Sequence, residues 1–285
     1  MIPARLKDED LLREVDRFTD DENYFHLWWL GQSGYLITYK GEKILLDPYL
    51  SDSLTTKYAS TNKPHVRMSE RVIDPSLLKN ISIVSSSHNH TDHLDGETLI
   101  PLLKNNPDIK FIIPEANRNF VSERVNCDKH FPLGLDAGKS VTIGNFTFFG
   151  IPASHNEIEK DDQGRCRFMG YVIRFGRWTI YHSGDTLLYD GIERLLIPYK
   201  IDLAFLPING NYPARGVAGN LNAVEAVNLA RRTGIGMVIP CHYDMFTFNT
   251  ADPADFSRVA ERAGQPYTVL LPGGHFSSDM LPPNQ

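Results

Sequence analysis

The sequence predicts an α/β protein folded as a single domain over residues 1–285. Short apolar runs rich in β-branched and aromatic residues recur along the chain and are typical of strands. Segments with apolar residues at helical spacing lie between several of these runs. No stretch has the composition of a linker, a low-complexity segment or a repeat, which favours one domain over two.

The first third of the chain predicts a helix, a β-meander and a long loop. Apolar residues stand at helical spacing within residues 8–18. Strand-like runs follow at 25–30, 35–39 and 43–47, and glycine-containing turns separate them. Residues 51–74 predict an irregular loop with several basic side chains, most of them solvated. Long loops of this kind often cover a substrate, so one or two of its cations are candidates to meet an anion.

The rest of the chain predicts strands that alternate with helices. The predicted strands are residues 81–86, 110–114, 171–175, 178–182, 202–208, 237–240 and 267–271, with a hairpin at 141–149. The predicted helices are residues 96–104, 115–122, 253–263 and the segment between Asn222 and Gly234. Asn222 is the expected N-cap of that segment, because Glu225 follows three residues later. The polar residues 157–167 are expected to form a surface loop.

Composition and charge exclude several classes of function. The net charge of −6 and the pI near 5.9 give no general attraction to nucleic acid or to an anionic membrane, so neither is expected as a partner. No apolar run has the length of a membrane span, and the N-terminus has no hydrophobic core of a secretory signal. A small molecule is the expected partner. A homo-oligomer is compatible with the sequence, which leaves the oligomeric state open.

The cysteines point to a reducing compartment. Cys127, Cys166 and Cys241 are odd in number, lie far apart and form no Cys-x-x-Cys pair. This pattern argues against disulfides and against a thiolate metal site, and it favours a cytoplasmic location. Cys241 is next to His242 and could lie near a metal, but a small buried residue at a strand end is the favoured interpretation.

A cluster of histidines follows the strand predicted at residues 81–86. His88, His90, Asp92 and His93 fall within six residues, although only ten of the 285 residues are histidine. A strand-like backbone would place His88 and His90 on one face, because alternate side chains share a face. Neutral imidazoles and carboxylates are ligands that suit Zn²⁺, Mn²⁺ or Fe²⁺. A solvated loop that is rich in histidine by chance is the weaker alternative.

Three later residues extend this pattern. His155, Asp185 and His242 each lie just after, or at the end of, an apolar run predicted as a strand. Loops at strand ends are where rigid frameworks commonly hold catalytic residues. Asp47 ends another predicted strand and has two interpretations: it caps its own loop, or it accepts a hydrogen bond from a ligand histidine. The sequence therefore predicts a metal site at one end of the strands.

The order of these residues resembles the metallo-β-lactamase superfamily across nearly the whole chain. Three further segments resemble its L-ascorbate-6-phosphate lactonase branch, and they are Trp-Trp-Leu-Gly-Gln-Ser-Gly-Tyr at 28–35, Leu-Asp-Pro-Tyr-Leu-Ser-Asp-Ser at 46–53 and Pro-Ile-Asn-Gly at 207–210. The resemblance implies an αββα four-layer sandwich of two mixed β-sheets with helices outside. It also implies a dinuclear metal site along one edge, holding Mn²⁺ or Zn²⁺, with Fe²⁺ as a further candidate.

The resemblance assigns a role to each candidate ligand. The first metal would be held by His88, His90 and His155. The second would be held by Asp92, His93 and His242. Asp185 would bridge the two metals, and Asp47 would support the ligands from behind.

Such a site implies a metal-dependent hydrolase. Metal coordination lowers the pKa of water to about 7 in zinc sites, so a hydroxide is available at neutral pH to attack an ester carbonyl. Asp92 either carries a proton to the leaving alkoxide or only ligates the metal. The implied substrate is a lactone or another ester, with a phosphorylated sugar acid among the candidates. A metal-dependent phosphodiesterase acting on a nucleotide or phospholipid is one alternative, and a non-catalytic metal-containing sensing protein is another.

Four residues outside the ligand set are candidates to bind the substrate. Asn209 and Tyr243 lie in loops next to strand ends and could donate hydrogen bonds, and Arg215 could bind a phosphate. His275 follows a Gly-Gly turn and could close the pocket. Ordinary loop hydrogen bonding or exposure is the alternative for each. The remaining histidines, His26, His65, His130 and His182, are expected to be structural or exposed.

Overall fold

The computed structural model describes residues 1–283, and its strands form two sheets. In chain order these strands are β1 His26–Gly31, β2 Gly34–Tyr39, β3 Glu42–Leu46, β4 Ile83–Ser85, β5 Lys110–Pro114, β6 Leu133–Leu135, β7 Ser140–Ile143, β8 Phe146–Pro152, β9 Met169–Phe175, β10 Trp178–His182, β11 Leu203–Pro207, β12 Met237–Cys241 and β13 His275–Ser277. The first sheet has the order β13-β1-β2-β3-β4-β5-β6, and the second has the order β12-β11-β10-β9-β8-β7. Both sheets are mixed.

The helices cover the outer faces of the sheets. In chain order they are α1 Asp8–Thr19, α2 Ser53–Tyr58, α3 Gly96–Asn105, α4 Arg118–Val125, α5 Ile192–Leu196, α6 Ala223–Thr233 and α7 Pro253–Ala263. The expected cap of α6 is confirmed, since Asn222 and Glu225 form a capping box and Gly234 ends the helix with φ +70°. Together the helices and sheets make the four-layer αββα sandwich that the sequence resemblance implied.

Alternation of side chains along β1 separates two hydrophobic cores. Leu27 and Trp29 point into the space between the sheets, where they pack with residues of both. Trp28 and Leu30 point to the opposite face and pack under α1, α3 and α4. Because successive strand residues face opposite sides of a sheet, one buried strand serves both cores.

The parallel strands bring their carboxyl ends to one edge of the sandwich. In the first sheet β3, β4, β5 and β6 run parallel, and in the second sheet β10, β11 and β12 run parallel. β8 has the same direction as β10, because each is antiparallel to β9 between them. The loops that leave these strands therefore emerge together, and they carry the residues singled out in the sequence.

Two predicted elements differ from the structure. Residues 267–271 were expected as a strand but form only one isolated bridge, Val238 to Tyr267, and remain partly exposed at the sheet edge. The strand that completes the first sheet is β13 instead, three residues long and opposite β1. Residues 51–74 contain the short helix α2 within the predicted loop. Among residues 1–283 no helix has the length and apolarity needed to cross a membrane.

Candidate metal centre

Asp47 anchors the histidine loop from behind. It follows β3 with φ +42°, and its backbone N–H donates to Ser85 at the end of β4 at 3.0 Å. Its side chain is completely buried. One carboxylate oxygen accepts the backbone N–H of Ser87 at 2.9 Å, and the other lies 2.6 Å from Nδ1 of His93. Asp47 thus forms the hydrogen bond to a histidine that was the second of its two interpretations.

This carboxylate also reaches a second imidazole. The Ser87 hydroxyl donates to Asp47 and lies 3.0 Å from Nδ1 of His88, so it can accept the N–H of that ring. Nδ1 of His155 is held in the same way by the carbonyl oxygen of Gly219 at 2.7 Å. A histidine that donates from Nδ1 keeps Nε2 free as a ligand atom. These contacts therefore turn Nε2 of His88, His93 and His155 inward.

The candidate ligands form two groups. The first group is His88, His90 and His155, and the second group is Asp92, His93, Asp185 and His242; within each group the ligand atoms lie within 4.8 Å of one another. Asp185 contacts both groups. Its carboxylate oxygens are 3.3 Å from Nε2 of His93, 3.4 Å from Nε2 of His242 and 3.6 Å from Nε2 of His155. The structure thus brings all seven predicted ligands together.

The donor set fits metal ions. Within residues 1–283, Nε2 of His88, Nε2 of His93 and Oδ1 of Asp185 are buried without a good hydrogen bond. A buried polar atom with no partner costs about 1–3 kcal/mol, so native proteins rarely leave three in one place. Imidazole nitrogens and carboxylate oxygens at this spacing are the ligands that bind Zn²⁺, Mn²⁺ or Fe²⁺.

Electrostatics differ between the two groups. Burial, together with repulsion from neighbouring imidazoles, lowers the pKa of His88 well below its usual value and that of His90 to about 4. Burial also lowers the pKa of His155, against the attraction of Asp185. The histidines of the first group are therefore neutral at pH 7.

The second group carries charge. Burial opposes protonation of His242, but Asp185 and Asp92 outweigh it and raise the pKa to about 9. The pKa of His93 is raised for the same reason. Burial opposes ionisation of Asp92 and Asp185, yet the two histidines hold the pKa of each carboxyl well below its usual value. In the absence of metal the group is a set of ion pairs.

Members of both groups line a cleft of about 550 Å³, and they are His90, Asp92, His155, Asp185 and His242. Three cationic side chains also line it, Lys57 and Lys63 from the loop after β3 and Arg124 from α4. Apolar and aromatic side chains complete part of the wall, and they are Leu54, Tyr58, Phe120, Phe246 and Phe248. Among the described lining residues, Asp92 and Asp185 are the only carboxylates.

Asn209 and Arg215, expected to contact a substrate, are turned toward Asn249 instead. The Asn209 amide donates to Oδ1 of Asn249 at 2.9 Å. The Arg215 guanidinium donates to the same oxygen at 3.0 Å and to the carbonyl oxygen of Asn209 at 2.6 Å. Neither side chain lines the cleft, whereas Asn249 does. Both side chains are thus linked to Asn249, and their contact with a substrate stays a prediction.

Tyr243 and His275 also lie away from the cleft lining. The Tyr243 ring stacks on Trp29, and its hydroxyl is engaged with the backbone of Leu270. His275 pairs with Trp28 across the β13–β1 ladder and shares its outward face, where the two rings stack at 4.9 Å. That face is opposite the core between the sheets, and a role of His275 in closing the pocket stays a prediction.

The sequence analysis did not predict several of the residues that line the cleft. Gln32 lies in the β1–β2 turn and contacts the second group, and His65, expected to be structural or exposed, lines the cleft. Arg124 lines it as well, and its guanidinium donates to the backbone oxygens of Asn89 and Leu94. The rule that located the ligands, a polar residue just after a strand, applies equally to Gln32.

Comparison with known proteins agrees with this geometry. The model of the beta-lactamase superfamily domain matches residues 42–243, a segment that contains all seven candidate ligands. The chain belongs to the metallo-β-lactamase superfamily.

Relatives and solved structures are consistent with this membership. A protein of Opitutus terrae named a metal-dependent hydrolase is 29% identical over 252 residues, which cover 87% of this chain and 97% of the relative. An isothiocyanate hydrolase from Delia radicum gut bacteria superposes with a TM-score of 0.71 at 18% identity, covering 89% of this chain and 100% of the other. A metallo hydrolase from Ignicoccus hospitalis gives 0.65 at 21% identity, covering 90% and 98%. The structural likenesses show a shared fold.

Replacing Asp47 in this superfamily member should weaken metal binding. Asp47→Asn keeps the shape of the side chain but removes the charge that holds His93 and, through Ser87, His88. Loss of such a supporting contact costs about 10–100-fold in metal affinity. Calorimetric titration with Zn²⁺ would measure it. Asp52→Asn is the matched control, because Asp52 is exposed and pairs with Arg67. Equal affinities for both variants would contradict the role of Asp47.

Metal binding to the second group should release protons. His242, with a pKa of about 9, and His93 are protonated at pH 7 and must lose about two protons to become ligands. Affinity for the second metal should therefore rise with pH between about 7 and 9, whereas the neutral first group should show little change there. Titrations at constant pH in buffers of different ionisation enthalpy would count the protons. A binding enthalpy independent of buffer would contradict these charge states.

Proposed function

We propose that this protein is a metal-dependent hydrolase that opens a lactone or cleaves another ester in a small anionic molecule. The observation that carries the proposal is the position of Asp185, which contacts the ligand atoms of both groups at the edge of an open cleft. The names of the curated relatives support hydrolysis. The choice of an ester rests on the segments that resemble the lactonase branch.

Each group of ligands would hold one divalent cation. His88, His90 and His155 would hold the first. Asp92, His93 and His242 would hold the second, and Asp185 would contact both. Mn²⁺ and Zn²⁺ are the leading candidates, with Fe²⁺ next. When bound, the cations supply Lewis acidity, which lowers the pKa of water toward about 7 and polarises the attacked bond.

Asp92 would move a proton during the reaction. Its carboxylate lines the cleft, and its low pKa keeps it ionised at neutral pH. Addition of water to an ester carbonyl releases one proton, and departure of the alcohol consumes one. A carboxylate beside the reacting bond can accept the first and deliver it to the leaving oxygen. Pure ligation by Asp92 is the alternative.

The cationic rim supports an anionic substrate. Lys57, Lys63 and Arg124 line the cleft, and within residues 1–283 none of them forms an ion pair with a carboxylate. Lys63 donates to the carbonyl oxygen of Gly216 across the cleft wall. The chain as a whole carries a charge of −6, so this positive rim is a local feature. A phosphate or carboxylate group on the ester is the natural partner, and a phosphorylated sugar acid has such a group.

A substrate panel tests the proposal. The metal-loaded protein is assayed on lactones, on phosphorylated and neutral esters, and on bis(p-nitrophenyl) phosphate. We expect turnover of lactones or esters that disappears with a chelator and returns with metal. Turnover of the diester alone would replace the proposal with a phosphodiesterase. Full metal occupancy with no turnover in any arm would favour a sensing protein.

Reversing a charge on the rim should affect only anionic substrates. Lys57→Glu should lower kcat/KM for a phosphorylated ester about 3- to 10-fold and leave a neutral ester unchanged, because an exposed ion pair is worth up to about 1 kcal/mol and the variant adds repulsion. Lys79→Glu, an equal charge change at an exposed residue outside the cleft lining, is the control. A similar loss of kcat/KM for both substrates, or in both variants, would show that the anionic group of the substrate does not bind at Lys57.

A further inference from the structure

We infer that Gln32 is a positioning residue for the second metal group, holding the Asp92 carboxylate beside His242 through its side-chain amide. The inference rests on the metal site of the proposed function but not on the choice of substrate. Gln32 belongs to neither group of ligands, and its side chain is neutral.

The amide of Gln32 contacts two of the ligands. Its Nε2 donates to Oδ2 of Asp92 at 2.9 Å and lies 3.0 Å from Nε2 of His242. Those two atoms are 3.5 Å apart, so the amide nitrogen sits beside the pair. A carboxylate that ligates a metal needs its orientation fixed, and a hydrogen bond from a neighbouring amide fixes it without adding charge.

The backbone of Gln32 is held as firmly as its side chain. Its carbonyl oxygen accepts the backbone N–H of His242 at 3.0 Å and the indole N–H of Trp29 at 3.1 Å. Gln32 has φ +51° and His242 has φ +65°, a left-handed conformation that strains non-glycine residues. Such strain persists only where surrounding contacts over-determine it, which is typical of functional sites.

This arrangement joins the two sheets at the metal site. Gln32 leaves β1 of the first sheet, and His242 leaves β12 of the second. Asp92 comes from the loop after β4. One buried residue, 3% exposed, therefore sets the distance between ligands that come from both sheets. None of the first-group ligands has a contact with Gln32 among the hydrogen bonds of residues 1–283.

The test compares two buried glutamines. Gln32→Met keeps the length and volume of the side chain but removes the donor. Gln265→Met is the control, because Gln265 is also buried but its amide donates to the carbonyl oxygens of Ile235 and Pro266. Calorimetry with Zn²⁺ gives the affinity of each step, Co²⁺ absorption reports the ligand geometry, and thermal unfolding checks that each variant folds.

We expect Gln32→Met to weaken the second metal about 10–100-fold and to change the Co²⁺ spectrum, while the first metal binds as before. Gln265→Met should leave both steps unchanged. If Gln32→Met does not fold, Gln32→Leu also lacks the donor, adds no charge and should show the same selective loss. Unchanged binding of the second metal, or equal weakening of both metals, would overturn the inference.

The same measurements separate this inference from the proposed function. Metal affinity does not require turnover, so a protein that hydrolyses no ester can still show the selective loss in Gln32→Met. Where turnover is present, excess metal should restore the activity of the variant. A native protein that binds only one metal would overturn the inference, whatever it hydrolyses.

Discussion

The buried contact between Asp47 and His93 connects the framework of the protein to its reactive edge. A carboxylate with no exposed surface is costly unless nearby donors compensate it. Its donors here are the imidazole of His93, the hydroxyl of Ser87 and the backbone N–H of Ser87. Because Asp47 stands at the end of a central strand, this compensation fixes the path of the histidine loop before any metal binds. The ligand geometry is thus a consequence of the fold.

Nδ1 of His88 and of His93 is held by a hydrogen bond, whereas Nε2, which faces the other candidate ligands, is not satisfied in the same way. Within residues 1–283, Nε2 of His88, Nε2 of His93 and Oδ1 of Asp185 make no good hydrogen bond, although the last two atoms lie 3.3 Å apart as an ion pair. In the first group neutral imidazoles face one another, whereas in the second group carboxylates and protonated imidazoles already satisfy part of each other's charge. A cation entering the first group meets no competing proton. A cation entering the second group must replace existing ion pairs, which makes the contacts around that group, including Gln32, decisive for its affinity.

The sequence was sufficient to single out the candidate ligands that the fold brings together, because each of them follows a strand and strand ends can be located from local apolar runs. His88, His155 and His242 could be placed in this way without knowing how the sheets pack. The sequence did not decide the role of Asp47. A carboxylate that caps its own loop and one that supports a histidine give the same local sequence pattern, and only the pairing of β3 with β4 distinguishes them. Arg215 and Asn209 lie outside the cleft lining because both side chains donate to a nearby acceptor, Asn249, which their position after a strand does not reveal.

Other parts of the fold depend on long-range packing, which local sequence patterns do not predict. β13 completes the first sheet although residues 267–271 have the stronger strand composition, because the Pro-Gly-Gly turn at 272–274 delivers His275 next to Trp28. The register then decides that His275 faces outward, away from the cleft. The cleft rim likewise combines Lys57 and Lys63 from one loop with Arg124 from a helix about sixty residues later. Their proximity follows from the four-layer packing.

The two kinds of residue in the cleft are attached to the fold differently. The candidate ligands lie in loops that follow strands, and buried contacts such as that of Asp47 with His93 hold them there. Part of the rim is carried by the 51–74 segment: His65 lies between Tyr58, Phe246 and Phe248, and the guanidinium of Arg67 ties the same segment to Asp52 and Ser51. A change in this segment can alter which anion fits without disturbing the metal ligands. The chemistry and the choice of substrate are therefore separable in this protein, because a rigid edge supplies the first and the loops above it supply the second.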